Sequence, residues 1–176
     1  MLRLVAIASL VGTLFWGCRI SLENYDNSVQ STDGGNGGVC VVSTTSQPCI
    51  DATMHSDLAF IEQKIFAQSC NFPGSCHASA SDPGKLDLRP GVSHDHLVGV
   101  PSMIDRTRML VVPNDRAASY LLLMLRDVAP AMASPPASPP PGNIGFMPQN
   151  AGAAGTLCCQ KLEAIERWIN AGAPNL

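Results

Sequence analysis

Proline and glycine interrupt this chain so often that it has room only for short regular elements joined by long loops. The sequence has 14 prolines and 15 glycines among 176 residues, well above ordinary usage. No run with the alternating pattern of a β-strand reaches a useful length, whereas several segments carry apolar residues at helical spacing. The sequence therefore predicts a small, mostly α domain with long irregular loops and no internal repeat.

Four segments have the spacing or the capping residues of a helix. In the first, Leu58, Ile61 and Ile65 fall on one face, with Ser56 or Asp57 placed to cap the helix. In the third, the stretch 120–125 is apolar all round, which predicts a buried helix. The fourth has Leu162, Ile165, Trp168 and Ile169 on one face, Glu163 and Arg167 as an ion pair, and Gly172 and Pro174 at its end. The predicted helices are His55–Ser69, Ser93–Val98, Asn114 to about Asp127, and Thr156–Ala171, and the segment Ala129–Pro141 is predicted to be loop.

The composition argues against two classes of function. Acidic residues number 14 and basic residues 11, for a net charge of −3, whereas binding to nucleic acid requires a surplus of basic residues. The sequence also lacks the serine-hydrolase, zinc-protease and paired-carboxylate patterns of common hydrolases. We therefore expect neither a nucleic-acid partner nor catalytic activity.

The N-terminus predicts export from the cytoplasm. Arg3 precedes an apolar run, Leu4–Phe15, which is too short to span a bilayer and fits the core of a signal peptide. The run leads into Gly17 and Cys18, which resemble a bacterial lipobox, where the cysteine is lipidated. We expect residues 1–17 to be a signal peptide and Cys18 to anchor the protein to a membrane of the cell envelope, facing the periplasm or the exterior. The alternative is an ordinary signal peptide, with Cys18 incidental.

A tether and a folded domain are predicted to follow the anchor. Residues 19–39 are polar and rich in glycine, a composition that suits a flexible linker. Cys40 and Cys49 lie on either side of Pro48 and predict a small disulfide loop. The expected domains are thus a lipidated linker over 18–49 and a helical domain over 50–176.

The segment Cys70–His77 carries most of the chemistry in the sequence. It reads Cys-Asn-Phe-Pro-Gly-Ser-Cys-His, and a cysteine followed at once by histidine is how c-type haem is held. The thiol forms a thioether to a haem vinyl group, and the imidazole takes an axial position on the iron. Five residues separate the two cysteines here instead of the usual two, and the turn dipeptide Pro73-Gly74 can fold the extra residues back.

Further motifs follow in a fixed order along the chain. They are Gly84–Leu88, Leu97–Gly99, Val112–Asp115, Met147-Pro148 and Ile165–Ala173. Together with the Cys-His pair, this series resembles a family of exported bacterial cytochrome c-like domains, many of them on lipoproteins, over about residues 56–174. The resemblance implies a covalently attached haem c, with Cys70 and Cys76 as attachment sites and His77 and Met147 as iron ligands. It also implies electron transfer with a redox protein partner.

Other interpretations of the same residues remain open. Cys70 could pair with Cys76, Cys158 or Cys159, which would make the protein a haem-free structural or binding lipoprotein stapled by disulfides. Cys70, Cys76, His77 and the pair His94 and His96 also suit zinc or copper. For the second iron ligand, the competitors of Met147 are His94, His96, Met103 and Met132.

Overall fold

A computed structural model describes residues 40–71, 75–81, 85–149 and 157–175 of the chain. The predicted signal peptide, Cys18 and the linker residues 19–39 lie outside these residues. Among the described residues, no helix has the length and apolar character needed to cross a membrane.

Helices are the regular secondary structure of the described residues, and no β-sheet is present among them. The contacts of strand type there are three isolated bridges, such as the parallel pair Val98 and Val111. The prediction of a mostly α chain with long loops is confirmed at this level. The helices are α1 (Gln47–Ala52), α2 (Leu58–Phe60, continuing as a π-helical stretch over Ile61–Phe66 and an α turn over Ala67–Ser69), α3 (Ser93–Leu97), α4 (Tyr120–Met124) and α5 (Cys159–Asn170), with a 3-10 turn at Pro130–Met132.

Helix α2 ends at Ser69 as the sequence predicts, and it begins at Leu58, three residues after the predicted His55 and directly after the predicted cap residue Asp57. The Asp57 carboxylate accepts a hydrogen bond from the Phe60 backbone N–H at 2.8 Å, which caps the first turn. Leu58, Ile61 and Ile65 are buried in the core as the apolar spacing predicts. The π-helical stretch in the middle was not predicted.

Helix α5 forms the centre of the core. Its four predicted apolar residues are all buried, and Trp168 has no exposed surface. Glu163 and Arg167 form the predicted ion pair, with 3.8 Å between the carboxylate and guanidinium atoms. The chain leaves the helix through Gly172, whose φ of +92° suits glycine. The helix is confirmed, although it is a few residues shorter than predicted.

Helix α4 is much shorter than predicted, because local hydrogen bonds hold the preceding residues in turns. The Ser119 hydroxyl accepts from the Val112 N–H at 2.9 Å and donates to the Asp115 carbonyl at 2.7 Å. The Asp115 carboxylate accepts from the Ala118 N–H at 2.9 Å. Such side-chain bonds compete with a helical backbone. The prediction that residues 120–125 are buried is nevertheless confirmed.

The predicted disulfide loop between Cys40 and Cys49 is wrong. Cys40 pairs with Cys159, and Cys49 pairs with Cys158. Cys49 lies on α1, which packs against α5 and so brings the cysteines of both elements together. Cys40 and Cys49 are thus joined to the start of α5 and not to each other. Proximity in sequence does not decide which thiols pair.

Candidate functional site

One large cavity is lined by side chains from distant parts of the described chain. Its volume is about 610 Å³, within the usual range for small-molecule and cofactor sites. Its walls are mostly apolar and include residues of α4 and of the segment that follows the Cys-His pair. Apolar lining residues include Phe66, Leu86, Leu88, Leu110, Leu121, Met124, Leu125 and Leu157.

All four predicted haem-binding residues line this cavity. They are Cys70, Cys76, His77 and Met147. Met147 lies 70 positions after His77 in the sequence, so the fold, not the local chain, brings the two to one site. Both side chains are half-buried.

Hydrogen bonds hold the described ends of the Cys-His segment against the rest of the wall. At the end of α2, the Cys70 N–H donates to the Phe66 carbonyl at 2.7 Å. The Asn71 side-chain amide donates to the Leu88 carbonyl, and the Leu88 N–H donates to the His77 carbonyl at 3.0 Å. These bonds join both ends of the segment to the wall that contains Leu88.

The two cysteines of the segment differ in oxidation state: Cys70 is a free thiol, and Cys76 is part of a disulfide. Cys70 is the free cysteine of the described residues, so the alternatives in which it pairs with Cys76, Cys158 or Cys159 are wrong for this structure. Burial raises the pKa of the Cys70 thiol to about 12, and the nearby charge of Lys161 opposes this only in part. Cys76 is disulfide-bonded.

The loop that carries Met147 is held against α4. The Met147 N–H donates to the Met124 carbonyl at 2.8 Å, and the Arg126 guanidinium lies over the Phe146 ring, 4.9 Å from its centre. Gly145 has a φ of +69°, a conformation that suits glycine. The loop thus places a thioether at the cavity wall through defined contacts.

The competing ligand candidates divide between the cavity and the outer surface. His96 and Met103 line the cavity, although Met103 is 58% exposed. His94 does not line it: its Nε2 lies 3.1 Å from the Ala173 carbonyl. Met132 is an exposed side chain elsewhere. For the zinc or copper alternative, no group of three or more His, Cys, Asp or Glu side chains within the described ranges is placed to hold a metal ion.

Sequence reasoning missed several polar groups of this site. Lys85, Tyr120 and Gln149 line the cavity, and so does Ser75. The Ser75 hydroxyl is buried and has no hydrogen-bond partner among the described residues. A buried hydroxyl without a partner is costly, and its position beside Cys76 was the only signal in the sequence that could have drawn attention to it.

The arrangement can hold a large, mostly apolar ligand that carries a metal ion. An imidazole nitrogen and a thioether sulfur are both suited to haem iron. The apolar wall restricts access of water, which affects the potential of a bound redox centre.

Comparisons with known proteins give no match to a protein family, to a curated protein or to a solved structure. The resemblance to cytochrome c-like domains therefore stays a prediction.

Proposed function

We propose that this chain is a membrane-tethered c-type haem protein that transfers electrons in the cell envelope. One observation carries the proposal. The four residues selected from sequence motifs, Cys70, Cys76, His77 and Met147, line one cavity of about 610 Å³. Motifs that arose by chance would have no reason to meet in a cavity of cofactor size.

Each of these residues has a chemical role in the proposal. His77 and Met147 would hold the iron, and the sulfur of Cys76, with or without that of Cys70, would attach the porphyrin through a thioether. Bound haem supplies an iron that exchanges one electron with a protein partner. The apolar side chains of Leu121, Met124 and their neighbours exclude water, while the thioether of Met147 favours a high potential. The role is that of a carrier, not an enzyme.

The state of Cys76 sets a condition on attachment. A thioether forms from a thiol, and Cys76 is disulfide-bonded in this structure. Reduction of that bond must therefore precede attachment. We expect covalent haem only when the protein is made together with a cytochrome c maturation system that keeps the thiols reduced.

Haem staining of a denaturing gel tests the proposal, because only covalently attached haem survives denaturation. Wild type from a host with cytochrome c maturation should stain. Cys76→Ala should remove the stain, and Cys70→Ala should reduce it or leave it. The matched control is the pair Cys49→Ala and Cys158→Ala, which removes two sulfurs outside the cavity and should keep the stain. An unstained wild type would overturn the haem proposal.

The proposed tether is the lipidated Cys18, followed by the polar linker 19–39. A linker of this composition would leave the haem domain free to meet a redox partner at the membrane surface. In this proposal, the lipid attached to Cys18 is the part of the protein that binds the membrane.

A haem-free structural or binding lipoprotein is the second candidate. The disulfides Cys40–Cys159 and Cys49–Cys158 do not decide between the two candidates, because the haem proposal leaves the same four cysteines free to pair. The disulfide at Cys76 favours the haem-free candidate, because it occupies a sulfur that haem attachment requires. The same gel separates the candidates, since this protein would not stain in any host.

A further inference from the structure

The charges around the cavity differ from those of the whole chain. The sequence has 14 acidic and 11 basic residues, yet no Asp or Glu of the described residues lines the cavity. Its basic lining residues are Lys85, His77 and His96. Within an acidic protein, this cavity is thus suited to a ligand that carries negative charge.

Lys85 and His96 line the same cavity from two different parts of the chain. Lys85 begins the wall segment that includes Leu86 and Leu88, and His96 lies on α3. The pKa of Asp87, within this segment, is lowered mainly by its hydrogen bond from Arg89 and to a smaller extent by the charge of His96. The charge of His96 therefore acts on the segment that Lys85 begins. We call Lys85 and His96 the basic end of the cavity.

The two carboxylates nearest in sequence to the basic end, Asp87 and Asp95, each contact another group, and the Asp95 Oδ1 lies 3.3 Å from the Nδ1 of His94. Asp87 is buried, and its Oδ2 lies 2.6 Å from the Arg89 guanidinium. Neither Lys85 nor His96 forms an ion pair with another described residue. The charge of Lys85 therefore remains available to a ligand.

A third polar group of the cavity, the Ser75 hydroxyl, could form a hydrogen bond with a ligand. Ser75 is 8% exposed, and its hydroxyl has no hydrogen-bond partner among the described residues. A buried hydroxyl gains most from an acceptor oxygen that enters the cavity. The lining thus combines apolar walls with donors and positive charge.

We propose that the basic end of the cavity binds the carboxylate group of an amphipathic ligand whose apolar body fills the rest of the cavity. The ammonium of Lys85 provides the charge, and a ring N–H of His96 donates to a carboxylate oxygen. Two sources share this chemistry: the propionate groups of haem and the carboxylate of a long-chain fatty acid. The first rests on the proposed function, and the second does not.

Binding of acids and of their uncharged analogues tests this proposal. The full chain is secreted as Cys18→Ser, to keep it free of lipid, and made without cytochrome c maturation. It is titrated with haemin and with haemin dimethyl ester by absorbance, and with palmitate and hexadecanol by calorimetry. Iron ligation is the same for haemin and its ester, so the ratio of their dissociation constants reports the contribution of the carboxylates alone.

We expect each acid to bind about tenfold more tightly than its uncharged analogue. The double variant Lys85→Gln and His96→Gln should remove that preference and leave the analogue's affinity unchanged. The matched control is Lys64→Gln, which removes the same charge from an exposed position on α2 and should keep the preference.

The outcomes separate this proposal from the haem proposal. The proposal is supported if haemin binds more tightly than its ester, or palmitate more tightly than hexadecanol, and the double variant abolishes that preference, whether or not covalent haem forms. If palmitate is preferred over hexadecanol but haemin is not preferred over its ester, the ligand is a fatty acid. Equal affinities for acid and analogue, a preference that survives in the double variant, or binding of none of the four compounds would overturn this inference, even in a protein that stains for haem.

Discussion

Removing one of the two described disulfides should cost less stability than half the cost of removing both. Cys40–Cys159 and Cys49–Cys158 close loops of 119 and 109 residues. These separations differ by only ten, because the two bonds lie side by side between the same parts of the chain. Once either bond exists, the other closes an additional loop of only ten residues.

The magnitudes follow from the entropy of the unfolded chain. A first cross-link closing either of the long loops stabilises by about 5 kcal/mol in the loop-entropy description. A second cross-link that closes only about ten further residues adds about 2.7 kcal/mol by the same relation. Deleting either bond should thus cost about 2.7 kcal/mol, and deleting both about 7.5 kcal/mol, roughly 2 kcal/mol more than the two single costs together.

Guanidinium unfolding, followed through the fluorescence of buried Trp168, gives the free energy of unfolding of each variant. The variants replace both cysteines of one pair, or of both pairs, with alanine. The two single-bond variants serve as controls for each other, since the loop account assigns them the same cost. If the loss of one disulfide lowers the free energy of unfolding by about 5 kcal/mol, the reasoning is refuted, because each bond would then stabilise the fold independently of the other. This result would be decisive even if the variant that lacks both bonds does not fold.

Three further predictions concern single residues. In the haem-loaded protein, Met147→Ala should abolish the near-infrared sulfur-to-iron band and lower the potential, while the exposed Met54→Ala keeps both; a band that persists would mean that another methionine, such as Met103, is the ligand. At about pH 8, iodoacetamide should barely label Cys70 in the haem-free protein, and the rate should rise about tenfold per pH unit towards the raised pKa of about 12. A rate that levels off near an ordinary thiol pKa of about 8.5 would contradict that burial effect. Cys18→Ser should fail to incorporate labelled fatty acid and should leave the membrane fraction, and a wild type that is soluble and unlabelled would exclude the lipid anchor.

The electrostatics of the cavity could not be predicted from the sequence, since they depend on which residues face it. Lys85 belongs to a segment noticed only for its place in the series of motifs, and Ser75 only for its place beside Cys76. Both line the cavity together with His96, whereas His94, two residues away, is directed to the Ala173 carbonyl. Nothing in the pattern His94-x-His96 distinguishes the two imidazoles; the geometry of α3 and its neighbours does.

The sequence by itself determined the features that depend on interactions between near neighbours in the chain. The apolar spacing of α2 and α5, the Asp57 cap and the turn at Gly172 all act within a few residues, so they could be predicted correctly. The length of α4 was not predicted, although its cause is also local, because the apolar pattern does not show that Ser119 and Asp115 bind the backbone before the helix can begin. The tertiary structure decided which thiols pair, which cysteine stays free, and that His77 and Met147 line the same cavity. These features depend on distances between residues up to 119 positions apart, and such distances are fixed only when the core around α5 has packed.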